Sequence, residues 1–153
     1  MTTYLDSSAL VPLYVPERFS PAARRVVRGA PGVPFTALHQ LEVPNAFELL
    51  VGRGAISRDE CAAVLEQLDD DVDAQRLMVV SLDLDEVFVR AAELCRLYTA
   101  KYLARSLDLL HVAAAQALSC GTFVSGDDRQ LAVAKATGLK AVDIKRRLRR
   151  VGR

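Results

Sequence analysis

Four acidic residues of this 153-residue chain stand where folding alone gives a carboxylate no task. Asp6 ends the apolar run of a first strand, and Asp127 follows the run Phe123-Val124-Ser125 at the equivalent place. Asp108 lies in the first turn of a helix otherwise built from Leu, Ala, Val and His. Glu42 sits one turn into an apolar helix (Leu38, Leu41, Val43, Ala46, Phe47, Leu50). Two carboxylates ~4 Å apart repel by ~4 kcal/mol at an effective dielectric of ~20. A gathered set must therefore hold protons or bind a cation. No cysteine or histidine cluster accompanies these acids, and hard oxygen ligands favour Mg²⁺ or Mn²⁺ over zinc. Such an ion lowers the pKa of a water, orients a phosphodiester and offsets the charge that develops on its oxygens.

Competing chemistries lack their signatures. The chain has no GxxxxGK[ST], GxGxxG, GxSxG or HExxH. His39 and His111 are the only histidines, and no spacing pairs them for metal-free cleavage of a nucleic acid. Each acid also has a plain structural role open to it. Asp6, Asp108 and Asp127 suit helix starts, where a carboxylate caps or meets the dipole, and Glu42 suits a solvated helix position. Ser7 is open to capping the first helix or supporting a metal site. Asn45, three residues after Glu42, is open to facing the same cleft. His111 shares a helix face with Asp108 and is expected to be packed and hydrogen-bonded. The run Asp69-Asp70-Asp71 with Asp73 reads as a solvated helix end. Tyr98 and Tyr102 read as packing, and Arg24, Arg25 and Arg28 as an exposed helix face.

The elements that must position the acids follow from periodicity. Short apolar runs alternate with longer helical patterns, the pattern of an α/β domain with a mostly parallel sheet. Strands are expected at Thr2–Asp6, Val33–Thr36, Leu77–Leu82, Thr122–Ser125 and Lys140–Asp143. Helices are expected from Ser7 or Ser8 to about Val15, over Pro21–Arg28 and over about Leu38–Arg53, where Pro44 predicts a kink or a late start. Further helices run from a Ser57 cap with Glu60 at the capping-box position to about Gln75, and from an Asp85 cap to near Tyr102. One more is capped by Ser106 and stopped by Gly121, and the last runs from Asp127 or Asp128 to Gly138. In an open parallel sheet, ligands bind beyond the carboxyl ends of the strands. Asp6 and Asp127 meet there only if their strands are neighbours.

Composition is that of one globular domain, half apolar (51%) and a quarter charged (25%). Cys61, Cys95 and Cys120 are odd in number, far apart and set in apolar helical patterns, and are expected to be buried thiols in a reducing compartment. No charged-then-apolar leader opens the chain, and no apolar stretch approaches the ~20 residues of a membrane span, so a cytoplasmic location is expected. The net charge of +1 conceals an asymmetry. Lys145, Arg146, Arg147, Arg149, Arg150 and Arg153 leave 14 of the 20 basic residues against 19 acidic ones in the body, which is then about −5. A basic tail over 145–153 on an acidic domain over 1–144 suits a polyanion contact beside a metal cleft, and equally a solvated tail that aids solubility.

Tyr-Leu-Asp-Ser-Ser-Ala-Leu at 4–10, Leu-Glu-Val-Pro-Asn-Ala around Glu42, Ser-Leu-Asp-Leu-Leu-His-Val-Ala-Ala-Ala at 106–115 and Phe-Val-Ser-Gly-Asp-Asp-Arg-Gln-Leu at 123–131 resemble the successive acidic motifs of PIN domains. More narrowly, they resemble the toxin ribonucleases of toxin–antitoxin pairs, the VapC group. Each motif alone is weak; four in order over nearly the whole chain are specific. The resemblance implies a three-layer α/β/α fold around a central, mostly parallel twisted sheet. It implies Mg²⁺ or Mn²⁺, hydrolysis of RNA to 5′-phosphate and 3′-hydroxyl ends, homodimerisation and inhibition by a small cognate antitoxin. Asp6, Glu42, Asp108 and Asp127 carry over as the acidic quartet, and Ser125 matches a Thr/Ser near the fourth acid. Family spacing (Ser-x-Asp-x-Arg) selects Asp127 over its neighbour Asp128. The alternatives are a non-catalytic RNA- or antitoxin-binding module of the same fold, and an RNase-H-like nuclease. The latter opens with several antiparallel strands, whereas a helix follows the first strand here. A haloacid-type phosphatase wants Asp-x-Asp, which Asp6-Ser7-Ser8 does not supply.

Overall fold

A computed structural model describes residues 2–146. Residues 147–153, most of the basic tail expected over 145–153, lie outside the described residues. Five short strands form two parallel sheets. β1 (Thr3–Leu5), β4 (Thr122–Ser125) and β5 (Lys140–Asp143) stand in the order β1-β4-β5, and β2 (Val33–Phe35) pairs with β3 (Leu77–Val79). β2 packs beside β1 with no ladder between the two. His39 serves that seam. Its Nδ1 accepts the Thr36 N–H (3.0 Å), so the proton sits on Nε2, which donates to the Leu5 carbonyl (2.7 Å). That carbonyl faces away from β4, because the alternate residue Asp6 donates its N–H to Val124. The ring thus satisfies a strand group that a ladder would otherwise take.

The inner strands β1, β2 and β4 are buried on both faces, as a parallel sheet flanked by helices requires, while β3 and β5 are partly exposed. Tyr4 and Phe123 stack on one face, with centroids 5.5 Å apart. They enter a core with α5 (Leu84–Leu94), α7 (Ser106–Ala117) and α8 (Asp128–Ala136). Leu5 and Val124, one residue on, enter the opposite core. That core is built with α1 (Ser7–Leu10), α2 (Ser20–Arg28), α3 (Ala37–Gly52) and α4 (Arg58–Asp73). Two cores, one on each side of the strands, make the three-layer α/β/α arrangement. α7 is buried at every position from Asp108 to Ala115, so it reads as apolar all round and not as one stripe.

Several boundaries differ from expectation for local reasons. The first helix is a single α turn continued by a 3₁₀ turn, Val11–Leu13, whose Pro12 supplies no N–H. β3 stops at Val79, since its only partner β2 ends where Thr36 begins the cap of α3. α3 neither starts late nor ends at Pro44. It runs continuously from Ala37, and the Gln40 carbonyl that Pro44 cannot bond is on the exposed side. Asp83, not Asp85, caps α5, accepting from the Glu86 N–H (3.1 Å). The expected long helix changes to a π turn at Cys95–Thr99 before α6 (Ala100–Tyr102). Ser57 and Glu60 form the predicted capping box. Cys61 and Cys120 are buried, but Cys95 on the π turn is exposed, against the expectation for all three. Asp71 of the acidic run is not merely solvated, since it accepts from Tyr14 Oη (2.6 Å) and pairs with Arg76 (2.6 Å). No described helix is long and apolar enough to cross a membrane.

Candidate active site

The chain order places a switch point at β1. It runs outward through β2 and β3, then returns to lay β4 on the other side of β1, with Leu5 opposite Val124. Crevices for ligands open at such points, beyond the strand ends. Asp6 and Asp127 are the residues that leave β1 and β4 there.

Asp6 is fully buried and is the N-cap of α1. Its Oδ1 accepts from Ser8 Oγ (2.7 Å) and the Ala9 N–H (3.0 Å), and its Oδ2 accepts from Ser125 Oγ (2.6 Å). Burial pushes its carboxyl above the ordinary value, against the opposing effect of His111 and those hydrogen bonds. Asp127 is the N-cap of α8, its Oδ1 accepting from the N–H groups of Arg129 (2.8 Å) and Gln130 (3.2 Å). Asp108, 3% exposed, accepts the Arg105 N–H (2.8 Å) on Oδ2 and the Gln130 side-chain amide (3.1 Å) on Oδ1. Arg105, not Ser106, is therefore the N-cap residue of α7. Its guanidinium lies across the mouth, 3.5 Å from Asp108 and 3.4 Å from Asp127. Glu42 accepts from Ser7 Oγ (3.1 Å) and His111 Nε2 on the same oxygen, Oε1. Burial alone would push Glu42 up, but the hydrogen bond and charge of His111, aided by the Ser7 hydrogen bond, hold it below its ordinary value.

All four acids line one cavity of about 550 Å³, shared with Ser7, Arg105, His111 and Gln130. Asn45 does not; it lines the neighbouring apolar groove. Asp128 is exposed and takes Lys145 Nζ at 2.8 Å, outside the cavity. Ser7 is the first residue of α1 and not its cap. Ser125 is buried between Asp6 and the Asp127 N–H (2.9 Å). Sequence reasoning missed Ser8, Arg105, Gln130 and Tyr4. Ser8 stands two residues after a predicted acid, a spacing that suits a side chain reaching a capping carboxylate, whereas the Gln130 side chain reaches Asp108, 22 residues away, which no spacing announces. Nothing in the sequence marks Arg105 or Tyr4. His39 and His111, unpaired by any spacing, come within 5.3 Å of each other. Burial, then the charge of His111, depresses His39 to about 3, so it is neutral and structural.

The donor chemistry fits a hard divalent cation. It consists of four carboxylates, one of them fully buried, and the Gln130 Oε1, which is buried without a partner. Among the described residues, no three acids, histidines or cysteines yet stand close enough to hold one ion between them. Closing a shell requires side chains to turn inward and Arg105 to give way.

A sequence profile of the PIN domain family matches residues 3–144. The chain belongs to the PIN domain family. Membership carries nuclease activity as the general chemistry of PIN domains and removes the RNase-H-like alternative. Solved structures share the fold at low identity. FitAcB from Neisseria gonorrhoeae superposes with a TM-score of 0.67 at 15% identity, covering 94% of this chain and 98% of that one. PAE2754 from Pyrobaculum aerophilum gives 0.60 at 20%, covering 95% and 90%. VapBC2 from Rickettsia felis, solved bound to a DNA fragment from its promoter, gives 0.62 at 14%, covering 94% and 98%. No curated protein matches this chain by sequence.

Proposed function

We propose that this PIN domain is a divalent-metal-dependent endoribonuclease, hydrolysing RNA phosphodiester bonds as the toxin of a toxin–antitoxin pair in the cytoplasm. The observation that carries the reading is the arrival of Asp6, Glu42, Asp108 and Asp127, from four separate segments, at one cavity at the switch point. Mg²⁺ or Mn²⁺ held there supplies positive charge for the phosphate and a water of lowered pKa. Asp6, Asp108 and Asp127 are its main holders, and Glu42 completes the set or positions the attacking water. Ser8 and Ser125 fix both oxygens of Asp6, while Gln130 fixes Asp108. Arg105, two-thirds exposed at the rim, is the cation placed to grip a phosphate by two N–H groups. Attack in line leaves 5′-phosphate and 3′-hydroxyl ends; 2′,3′-cyclic phosphate products would count against this route.

The catalytic unit spans residues 1–144, and the basic tail over 145–153 contacts RNA. The antitoxin is a small protein whose apolar segment occupies the groove of about 830 Å³ beside the cavity, lined by Val11, Pro12, Phe19, Leu41, Leu49 and Ile144. The resemblance to VapC toxins and the likeness to structures named VapBC support that partner. Ser7, Ser8, Glu42 and Leu107 line both groove and cavity, so an occupant of one crowds the other. The chain pairs with a second copy. A purely binding role has no use for four facing carboxylates, whose repulsion it would bear without return.

Cleavage of a mixed pool of structured RNAs by purified protein, with Mg²⁺, Mn²⁺ or EDTA, tests the reading. Cutting should need the metal and fall by about 100-fold or more in Asp6→Asn and in Asp108→Asn. Failure to cut any RNA, with metal binding unchanged in both variants, would promote the binding-module alternative.

A further inference from the structure

Glu42 is held from beneath by a histidine to which the metal-centred reading gives no task. His111 is 1% exposed and Tyr4 is wholly buried. An ionised carboxylate only accepts, so His111 carries its proton on Nε2 and donates to Glu42 Oε1. Its Nδ1 hydrogen-bonds the Tyr4 hydroxyl at 2.8 Å. Neither ring is free to turn. Tyr4 stacks on Phe123 at 5.5 Å and meets His111 edge-on at 5.8 Å, and His39 packs against both, 5.1 Å from Tyr4 and 5.3 Å from His111. Ser7 Oγ, from the opposite wall, lands on the same oxygen, Oε1. Among the described residues, no hydrogen bond reaches Glu42 Oε2, and Glu42 lines the cavity.

We propose that Tyr4 and His111 are positioning residues that clamp Glu42 through Oε1 and leave Oε2 as the oxygen presented to a divalent cation. The chain's affinity for the cation then depends on a buried tyrosine–histidine pair and not on the acids alone. The proposal rests on the reading of the cavity as a metal site. Its physical basis is that a glutamate on a free side chain must give up several rotamers to serve as a ligand, whereas a clamped one has already done so. Groups that orient a ligand in this way typically alter metal affinity by about 10–100-fold when removed.

Isothermal titration of the RNA-free protein with Mn²⁺ tests it, with folding checked by circular dichroism. The variants are Asp6→Asn, His111→Leu, His111→Gln and Tyr4→Phe. Binding should vanish in Asp6→Asn and weaken about 10–100-fold in His111→Leu. His111→Gln should recover part of that loss, because its amide N–H can donate to Oε1. Tyr4→Phe should weaken binding several-fold. A merely structural role would lower the melting temperature of the Leu and Gln variants while leaving the Mn²⁺ affinity of each alone. Affinity within twofold of the parent in folded His111→Leu, with Asp6→Asn inactive in binding, overturns the clamp and spares the metal site. Parent-like binding in Asp6→Asn overturns the metal site and the clamp together. Should His111→Leu fail to fold, parent-like affinity in Tyr4→Phe overturns the proposal.

Discussion

Asp6 combines full burial with three hydrogen bonds, and burial still prevails, raising its pKa. A carboxyl whose folded-state value is raised keeps its proton to higher pH in the fold than in the open chain. The stability this confers is complete below the ordinary carboxylate range and is lost as pH rises through the folded value. Asp6→Asn removes the charge while keeping an acceptor for the Ala9 N–H. In EDTA it should therefore melt above the parent at neutral pH, with the gap closing as pH falls toward about 4. Thermal melts across that range check this, and an equal or lower Tm at neutral pH would show that the hydrogen bonds outweigh burial. Residue type and place sufficed to single out Asp6. Its partners did not follow from type, because a serine two residues on and another 119 residues on look like any surface serine.

Helix ends show what an element can and cannot declare. α3, α4, α7 and α8 each finish with a pair of hydrogen bonds that fold the chain back on its last turn through a residue of positive φ. At Gly54 and Gly138 the residue type announces the stop; at Gln75 and Ser119 it does not. α7 thus ends at Ala117 and the chain turns at Ser119 (φ 54°), with Ser119 N–H on the Gln116 carbonyl and Cys120 N–H on that of Ala115, before the Gly121 expected to stop it. A side chain in this region is strained, and Ser119 is exposed, so Ser119→Gly should stabilise by about 0.5–1 kcal/mol. That corresponds to a rise of roughly 2–4 °C in Tm. An unchanged or lower Tm would mean the added freedom of the unfolded chain cancels the relief. Periodicity gave the order and type of nearly every helix, since burial on one or all sides is written in side-chain spacing. It could not give the π turn at Cys95–Thr99, where the apolar pattern continues unbroken.

Taken whole, the molecule leaves several apolar side chains of α5 and the π turn exposed, used by neither core. Leu84, Phe88, Val89 and Leu97 are exposed, Phe88 by 58% and Val89 by 61%. Exposed apolar surface gathered on one element is unusual for a chain that works alone. It is the face on which we place the pairing of two copies. Phe88→Glu should weaken that pairing by about 2 kcal/mol, roughly 30-fold in Kd. Light scattering on a dilution series reads the change, and an unaltered dimer would move the interface elsewhere.

What the amino-acid order determined alone was local. Alternating short apolar runs and helical periods specified an α/β chain with parallel strands, and four out-of-place acids marked the candidate site. The tertiary structure decided everything that depends on contact between distant segments. β4 lies beside β1 because the chain reverses its outward course after β3, and only that reversal brings Asp127 to Asp6. His39 stitches β1 to the β2 side, and His111 reaches across to Glu42, 69 residues away. No spacing encodes these meetings. They arise when two cores close on opposite faces of the strands and leave the polar side chains at the strand ends no other place to go.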